Sequence, residues 1–185
     1  MFTKLLQTLA QALRAADIDY AILGGQAVLL YGEPRATKDI DVTLGLTIDA
    51  LPRLLALVAQ CGWQVLTEDP QDFVGQTFVL PVQDGSTGIR IDFIFSFTPF
   101  EQETLDRAHA VQVGGIMVKY VSPEDLVIHK VFAGRARDLE DVRGILLRQS
   151  PLDMEHIKRW LESLSEGSDV SFLARFETVL RSLPG

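Results

Sequence analysis

Two aspartates one residue apart, Asp39 and Asp41, are the groups in this chain best placed by type and spacing to do chemistry. They begin the run Asp39-Ile40-Asp41-Val42-Thr43-Leu44, whose polar and apolar residues alternate with the period of a half-buried strand. Positions two apart on a strand face the same way, so Ile40, Val42 and Leu44 are expected in the core and both carboxylates on the other face. Strand geometry spaces them by about 6–7 Å along the backbone. Carboxylates that converge from there repel, and one holds a proton unless a cation lies between them. A hard divalent ion removes the conflict, and magnesium takes one or two protein carboxylates together with substrate phosphates. The plain structural alternative is a pair of solvated aspartates at a sheet edge.

Upstream, Tyr20-Ala21-Ile22-Leu23 reads as a short buried strand, and Gly24-Gly25 breaks it before Gln26-Ala27-Val28-Leu29-Leu30 starts a helix. A glycine turn at a helix N-terminus lets backbone N–H groups approach a phosphate, whose charge the helix dipole favours. A glycine pair alone equally makes a tight strand-to-helix turn. Followed by an Asp-x-Asp strand after one short helix, it is more specific, since a phosphate cradle and a metal clamp come together. A third carboxylate stands in Arg90-Ile91-Asp92-Phe93-Ile94-Phe95, where Arg90 and Asp92 share one face. An aspartate among such apolar neighbours is costly without a partner. Either Arg90 is that partner at a sheet edge, or Asp92 belongs to a site.

The stretch from Gly24 to Asp41 resembles the nucleotidyltransferase fold of the DNA polymerase beta superfamily, and within it the AbiEii-type bacterial nucleotidyltransferases. The family pattern is a Gly-Gly or Gly-Ser turn, a helix, an acidic-x-acidic strand and a third acidic residue on a later strand, matched by Gly24-Gly25, Asp39-Ile40-Asp41 and Asp92. Arg35-Ala36-Thr37 matches the Arg-x-Thr that AbiEii-like members carry before the acidic pair. Gly25 stands where many superfamily members have serine, so a hydroxyl contact to phosphate is absent. Downstream, LVIHKVFAGRARDLEDV is similar to the last AbiEii-like motif, with Lys130 as its lysine, Arg135 as its arginine and Asp138 and Asp141 as its aspartates. The bland counterpart is a charge-laced helix start in which Asp138 complements the dipole.

The resemblance implies transfer of a nucleoside monophosphate from a nucleoside triphosphate to a hydroxyl. Asp39, Asp41 and Asp92 would be catalytic and hold two magnesium ions, or manganese. Gly24, Gly25, Arg35, Thr37, Lys38, Lys130 and Asp141 would serve the nucleotide and its phosphates, with Lys130 counted as catalytic too. The acceptor stays open among a tRNA end, a protein and a small molecule. AbiEii-type relatives also suggest a toxin role with a cognate antitoxin partner. The rival is a catalytically silent nucleotide-binding or antitoxin-like protein of the same fold.

The elements that must position these groups follow from periodicity. Leu5, Leu6, Leu9, Ala12 and Leu13 predict an amphipathic first helix ending near Ala16, and Asp17-Ile18-Asp19 a turn. Asp49 is expected to cap a helix through Gln60, with strands at Trp63–Leu66 and at Phe73–Val82. Asp84–Gly88 reads as a hairpin turn, Thr98–Ala108 as a helix, and residues 111–120 as a hairpin around Gly114-Gly115. Ser122-Pro123-Glu124-Asp125 is a helix start, and residues 152–183 read as two helices separated by Gly167-Ser168-Asp169. The expected fold is α/β (α+β), a mixed central sheet flanked by helices with a helical C-terminal region. Residues 1–150 would form the nucleotidyltransferase domain and 151–185 a helical extension packed on it.

The 185 residues are 47% hydrophobic, enough for a substantial core. No apolar run reaches membrane-spanning length, no signal peptide is expected, and the single Cys61 excludes an internal disulfide, which together point to the cytoplasm. A net charge of −8 argues against a broad nucleic-acid groove while remaining compatible with a nucleotide–metal complex. The three histidines show no ligand spacing.

Overall fold

Alternating strands that each bury one face have to be stacked with those faces in common, and the register of the sheet does this. The computed structural model describes residues 1–184. Seven strands form one mixed sheet: β1 (Tyr20–Leu23), β2 (Asp39–Leu44), β3 (Trp63–Val65), β4 (Val79–Asp84), β5 (Arg90–Phe95), β6 (His109–Val113) and β7 (Ile116–Tyr120), in the order β3-β4-β5-β2-β1-β7-β6. β2 pairs with β5 in parallel and with β1 antiparallel, while β1 and β7 are parallel. Ile40, Val42 and Leu44 stand in register with Ile91, Phe93 and Phe95, and Leu80 and Val82 on β4 continue the row opposite Phe93 and Ile91. All eight are fully buried. Each such side chain contributes roughly 1.5–3 kcal/mol when removed from water, so a one-residue slip of β2 against β5 would expose the whole row.

The helices of the sheet are α1 (Phe2–Ala15), α3 (Leu51–Gln60), α4 (Pro70–Thr77) and α5 (Pro99–Asp106). Helix α1 buries Leu5, Leu6, Leu9 and Leu13 at helical spacing, as its sequence predicts. Two expectations are corrected. Phe73–Thr77 is not strand: Asp69 accepts from Asp72 N at 3.0 Å, Pro70 occupies the first turn, and α4 runs to Thr77 before Phe78 turns left-handed. The Asp-Pro start signal outweighs the strand-like residues after it, and β4 begins only at Val79. Asp49 does not cap α3: it lies inside a short 3₁₀ turn, Ile48–Ala50, with no side-chain cap at either end.

Close contacts divide the chain into two units, residues 1–26 with 36–121, and residues 27–35 with 122–185. Residue 150 lies inside the second unit. Helix α2 (Gly24–Tyr31) therefore gives its first three residues to the first unit and the rest to the second. The second unit also holds α6 (Pro123–Ala133), α7 (Ala136–Arg148), α8 (Met154–Ser165) and α9 (Phe172–Arg181). Ser122 caps α6 by accepting from Asp125 N at 3.1 Å, and Gly134 in the left-handed conformation ends it. Within this unit Gly32 lies against α7, where a Cβ would stand 3.2 Å from Ile145, and Gln149 donates to the Tyr31 carbonyl at 2.9 Å. The whole is a central mixed sheet flanked by helices, with a helical C-terminal region. No helix among the described residues is long and apolar enough to cross a membrane.

Candidate active site

The register that buries the apolar row fixes the polar one. Asp41 stands opposite Asp92 and Asp39 opposite Arg90 on the parallel strands β2 and β5. Residues in register on adjacent strands share a face, so the three carboxylates and Arg90 lie together on the side opposite the core. Asp39, Asp41 and Asp92 are all half-buried. Arg90 Nε donates to Asp92 Oδ1 at 2.8 Å, the structural partner that the sequence left open for Asp92. Thr37 Oγ1 donates to Asp39 Oδ1 at 3.1 Å. Lys38, between them in sequence, is exposed.

The glycine pair is explained by what leans on it. Gly24 has φ +62°, and a Cβ there would lie 2.7 Å from Asp41 Cγ, with the carboxylate oxygen closer still. At Gly25 a Cβ would lie 2.8 Å from Thr37 Cβ and nearer the hydroxyl. The Asp41 carboxylate and the Thr37 hydroxyl thus rest directly on the backbone that opens α2. Gly24 and Gly25 belong to the first turn of α2 rather than to a loop before it.

The remaining expected residues, Arg35, Lys130, Asp138 and Asp141, fall in the second unit and form an ion network there. Arg35 donates from Nε and Nη2 to the two Asp141 oxygens at 2.8 and 2.9 Å. Lys130 Nζ lies 2.8 Å from Asp138 Oδ1 and 2.9 Å from Asp141 Oδ2, and Arg135 Nε donates to Asp138 Oδ2 at 2.6 Å. Lys130, Asp138 and Asp141 are buried, whereas Arg135 is exposed. Burial pushes the carboxyls of Asp138 and Asp141 up. Hydrogen bonds from Arg135 and Lys130 to Asp138, and from Arg35 and Lys130 to Asp141, outweigh it and hold both below the usual carboxylate range.

Two features escaped the sequence. Ser122 Oγ donates to Asp125 Oδ2 at 2.7 Å, and His156 Nε2 meets Asp125 Oδ1 at 2.7 Å, all three buried. The aspartate sits between serine and histidine, so histidine cannot take the serine proton as in a hydrolase triad. Only the Ser122 cap was readable; nothing local ties His156 to it. The second is Gln26 in the first turn of α2, buried with its Nε2 unpartnered.

A divalent cation suits the oxygen donors of Asp39, Asp41 and Asp92 in kind. Among the described residues, however, no group of three or more His, Cys, Asp or Glu is arranged to hold a metal ion. Asp92 is turned to Arg90 and Asp39 to Thr37. The set therefore fits an ion held jointly by one or two of these carboxylates and phosphate oxygens, the manner in which magnesium is usually bound.

Solved structures resemble the chain over 76–98% of its length. A nucleotidyltransferase-like antigenic protein from Paracoccidioides brasiliensis superposes with TM-score 0.58 at 19% identity, covering 98% of this chain and 92% of that one. The antibiotic-resistance factor ANT(2'')-Ia gives TM-score 0.61 at 16% identity over 97% of this chain and 93% of its own. The lincosamide antibiotic adenylyltransferase LnuA gives 0.53 at 12% over 76% and 94%. At such identities the likeness is one of fold. No curated protein matches in sequence. Residues 1–176 match the family described as nucleotidyltransferase of unknown function (DUF6036), and with nearly the whole chain matched, the protein belongs to that family.

Proposed function

We propose that the protein transfers a nucleoside monophosphate from a nucleoside triphosphate to an acceptor hydroxyl. The acceptor oxygen forms a bond to the α-phosphorus, the bond to the bridging oxygen breaks, and pyrophosphate leaves. The observation that carries this is the pairing of Asp41 with Asp92 across β2 and β5, with the Asp41 carboxylate resting on Gly24 at the start of α2. Asp39 and Asp41 would hold magnesium, or manganese, with the triphosphate, and Asp92 would join them on leaving Arg90. When bound, such ions stabilise the attacking and leaving oxygens of an in-line displacement. Gly24 and Gly25 present backbone N–H groups to phosphate. Thr37 orients Asp39 through its hydroxyl, and Lys38 supplies an exposed positive charge beside it. Asp92 would ease removal of the acceptor proton, either by binding the metal or by taking the proton itself as a base. A phosphate role for Arg35, Lys130 or Asp141 requires opening a buried ion pair, so their better-supported task is to satisfy one another.

The acceptor we favour is a small molecule or a protein hydroxyl, since a net charge of −8 disfavours an extended RNA surface. Two proteins of similar fold bear on the first of these: ANT(2'')-Ia is seen in complex with adenylyl-2''-tobramycin and LnuA with lincomycin bound. A nucleoside triphosphate donor implies a cytoplasmic setting. The finer AbiEii-type placement, and with it a toxin–antitoxin role, rests on the Arg35-Ala36-Thr37 and Lys130-to-Asp141 patterns alone. The rival, a protein that binds without turnover, is favoured by one observation, the engagement of Asp92 by Arg90. The test is magnesium-dependent pyrophosphate release from each nucleoside triphosphate in the presence of cell lysate. Release should fall at least about 100-fold in the Asp39→Ala/Asp41→Ala variant. Tight nucleotide binding without release in the wild type would establish the rival.

A further inference from the structure

Arg90 and Asp92 stand two apart on β5, so their side chains leave the same face of the strand. The ion pair between them, Nε to Oδ1 at 2.8 Å, runs along the strand. The register runs across it, setting Asp41 beside Asp92 and Asp39 beside Arg90. Asp92 is therefore claimed twice: by the guanidinium of its own strand, and by any cation drawn to the carboxylates of β2. On the other flank Gln83 stands opposite Arg90, and its Nε2 donates to the Gly88 carbonyl at 2.9 Å.

The two partners differ in exposure. The Asp92 side chain is 14% exposed and that of Arg90 51%. A carboxylate with so little water around it keeps its charge more cheaply with a cation beside it. A half-exposed guanidinium, by contrast, loses little when it swings out into water. Exchanging Arg90 for a divalent ion thus replaces one cation by another at Asp92 and strands no buried charge. The pairs of Lys130 do not allow this exchange, since Lys130 is 9% exposed and its partners Asp138 and Asp141 only 3% and 5%.

We infer that Arg90 is a positioning residue that acts through Asp92: as the resident counter-ion it holds this carboxylate off the metal site, and so sets the concentration of free divalent ion at which the site fills. The inference rests on the nucleotidyltransferase reading. A pair this exposed is weak, which makes Arg90 a threshold rather than a block, raising the required concentration about 3-fold. The two explanations of Asp92, structural partner of Arg90 and member of a site, then describe successive states of one side chain.

The test reads free manganese by its electron paramagnetic resonance signal, without nucleotide, for wild type, Arg90→Met, Asp92→Asn and the double variant. Arg90→Met should bind manganese about 3-fold more tightly. Arg90→Lys, which restores a cation, should lie near wild type. Removing any nearby positive charge raises affinity somewhat, and Lys38→Met, which takes away the exposed cation next to Asp39, measures that background. Its gain should be smaller than that of Arg90→Met and equal in the presence and absence of the Asp92 carboxylate. In the Asp92→Asn background the gain from Arg90→Met should shrink to this level, because the contact it relieves is already gone. A gain that persists undiminished there would make Arg90 a background charge and overturn the inference. So would manganese affinity in Arg90→Met no tighter than wild type, or no binding in either. Should Arg90→Met not fold, Arg90→Gln takes its place in the same cycle. Calorimetry of the α,β-methylene analogues of ATP, GTP, CTP and UTP with manganese separates the two levels of failure. Failure of the wild-type protein to bind any of the four would overturn the nucleotidyltransferase reading itself, and this inference with it; analogue binding with an unchanged Arg90→Met would overturn the inference alone.

Discussion

The two units solve opposite problems with the same residue types. On the sheet of the first, the half-buried Asp39, Asp41 and Asp92 share a face with Arg90. In the second, Arg35, Lys130 and Arg135 meet Asp138 and Asp141 at hydrogen-bond distance, and the three residues at the centre of the network are buried. Like charges set side by side on a half-buried face repel one another, and a cation between them relieves this; charges already matched by opposite ones gain nothing from it. Sequence alone offered both clusters as site residues, the three aspartates as metal ligands and Lys130 and Asp141 as nucleotide contacts. Geometry separates them: the first lies on a half-buried sheet face, while the second ties α6 to α7 and to Arg35.

The largest expected effect tests that separation directly. Lys130→Ala strips the central cation and leaves two carboxylates buried with only their arginines, which should cost about 3–5 kcal/mol in urea unfolding. On the carboxylate face Asp41→Asn changes a half-buried group rather than a buried one, so it should shift urea unfolding less than Lys130→Ala does while pyrophosphate release disappears. Equal stability of Lys130→Ala and wild type would dissolve the contrast.

A smaller effect concerns how firmly Asp41 is fixed. Gly24→Ala forces a Cβ into a residue with φ +62° and into the Asp41 carboxylate, and should cost about 1–3 kcal/mol together with transfer activity. Gly62→Ala provides the comparison, since Gly62 has φ +69° but nothing within 4 Å of an added Cβ. It should show backbone strain alone, about 1 kcal/mol. The excess at Gly24 reports the carboxylate contact. Identical losses at both sites would mean that Asp41 moves aside freely.

The parts of this fold that sequence could reach are those written locally. The strand of Asp39 and Asp41 was readable because Ile40, Val42 and Leu44 must all be buried, and Ser122-Pro123 announces α6 in two residues. Pairing of β2 with β5 is written in neither strand; placing Asp92 beside Asp41 needed the resemblance to a known fold. Helix α4 was missed because Phe73 and Val74 have strand character while the signal that decides, Asp69-Pro70, lies before them. Burial of Lys130 could not be read at all, since Arg35, which completes the network around Asp141, is 106 residues away from it. Asp92 shows the limit most plainly: two explanations were open, and the ion pair to Arg90 and the register with Asp41 hold together.

The smallest effect expected is the response of the matched network to acid. Asp138 and Asp141 titrate below the usual carboxylate range when folded, because the hydrogen bonds from Arg135, Arg35 and Lys130 outweigh the upward push of burial. Unfolded, both return to about 3.9, so the unfolded chain binds more protons across that interval. Their contribution is therefore complete above the unfolded value and is lost as the pH falls through it and then through the lower folded values. A neutral carboxyl still accepts hydrogen bonds from the same donors, so protonation should remove less than truncation of Lys130 does. Urea unfolding at pH 7, 5 and 3 should show little change over the first step and a fall over the second. In Lys130→Met, which takes away a partner common to both carboxylates, that second fall should shrink, because the folded pKa values move back toward the unfolded one. An undiminished fall in this variant would assign the acid sensitivity to carboxylates outside the network, Asp84 with its Ser86 and Thr87 donors being the next to consider.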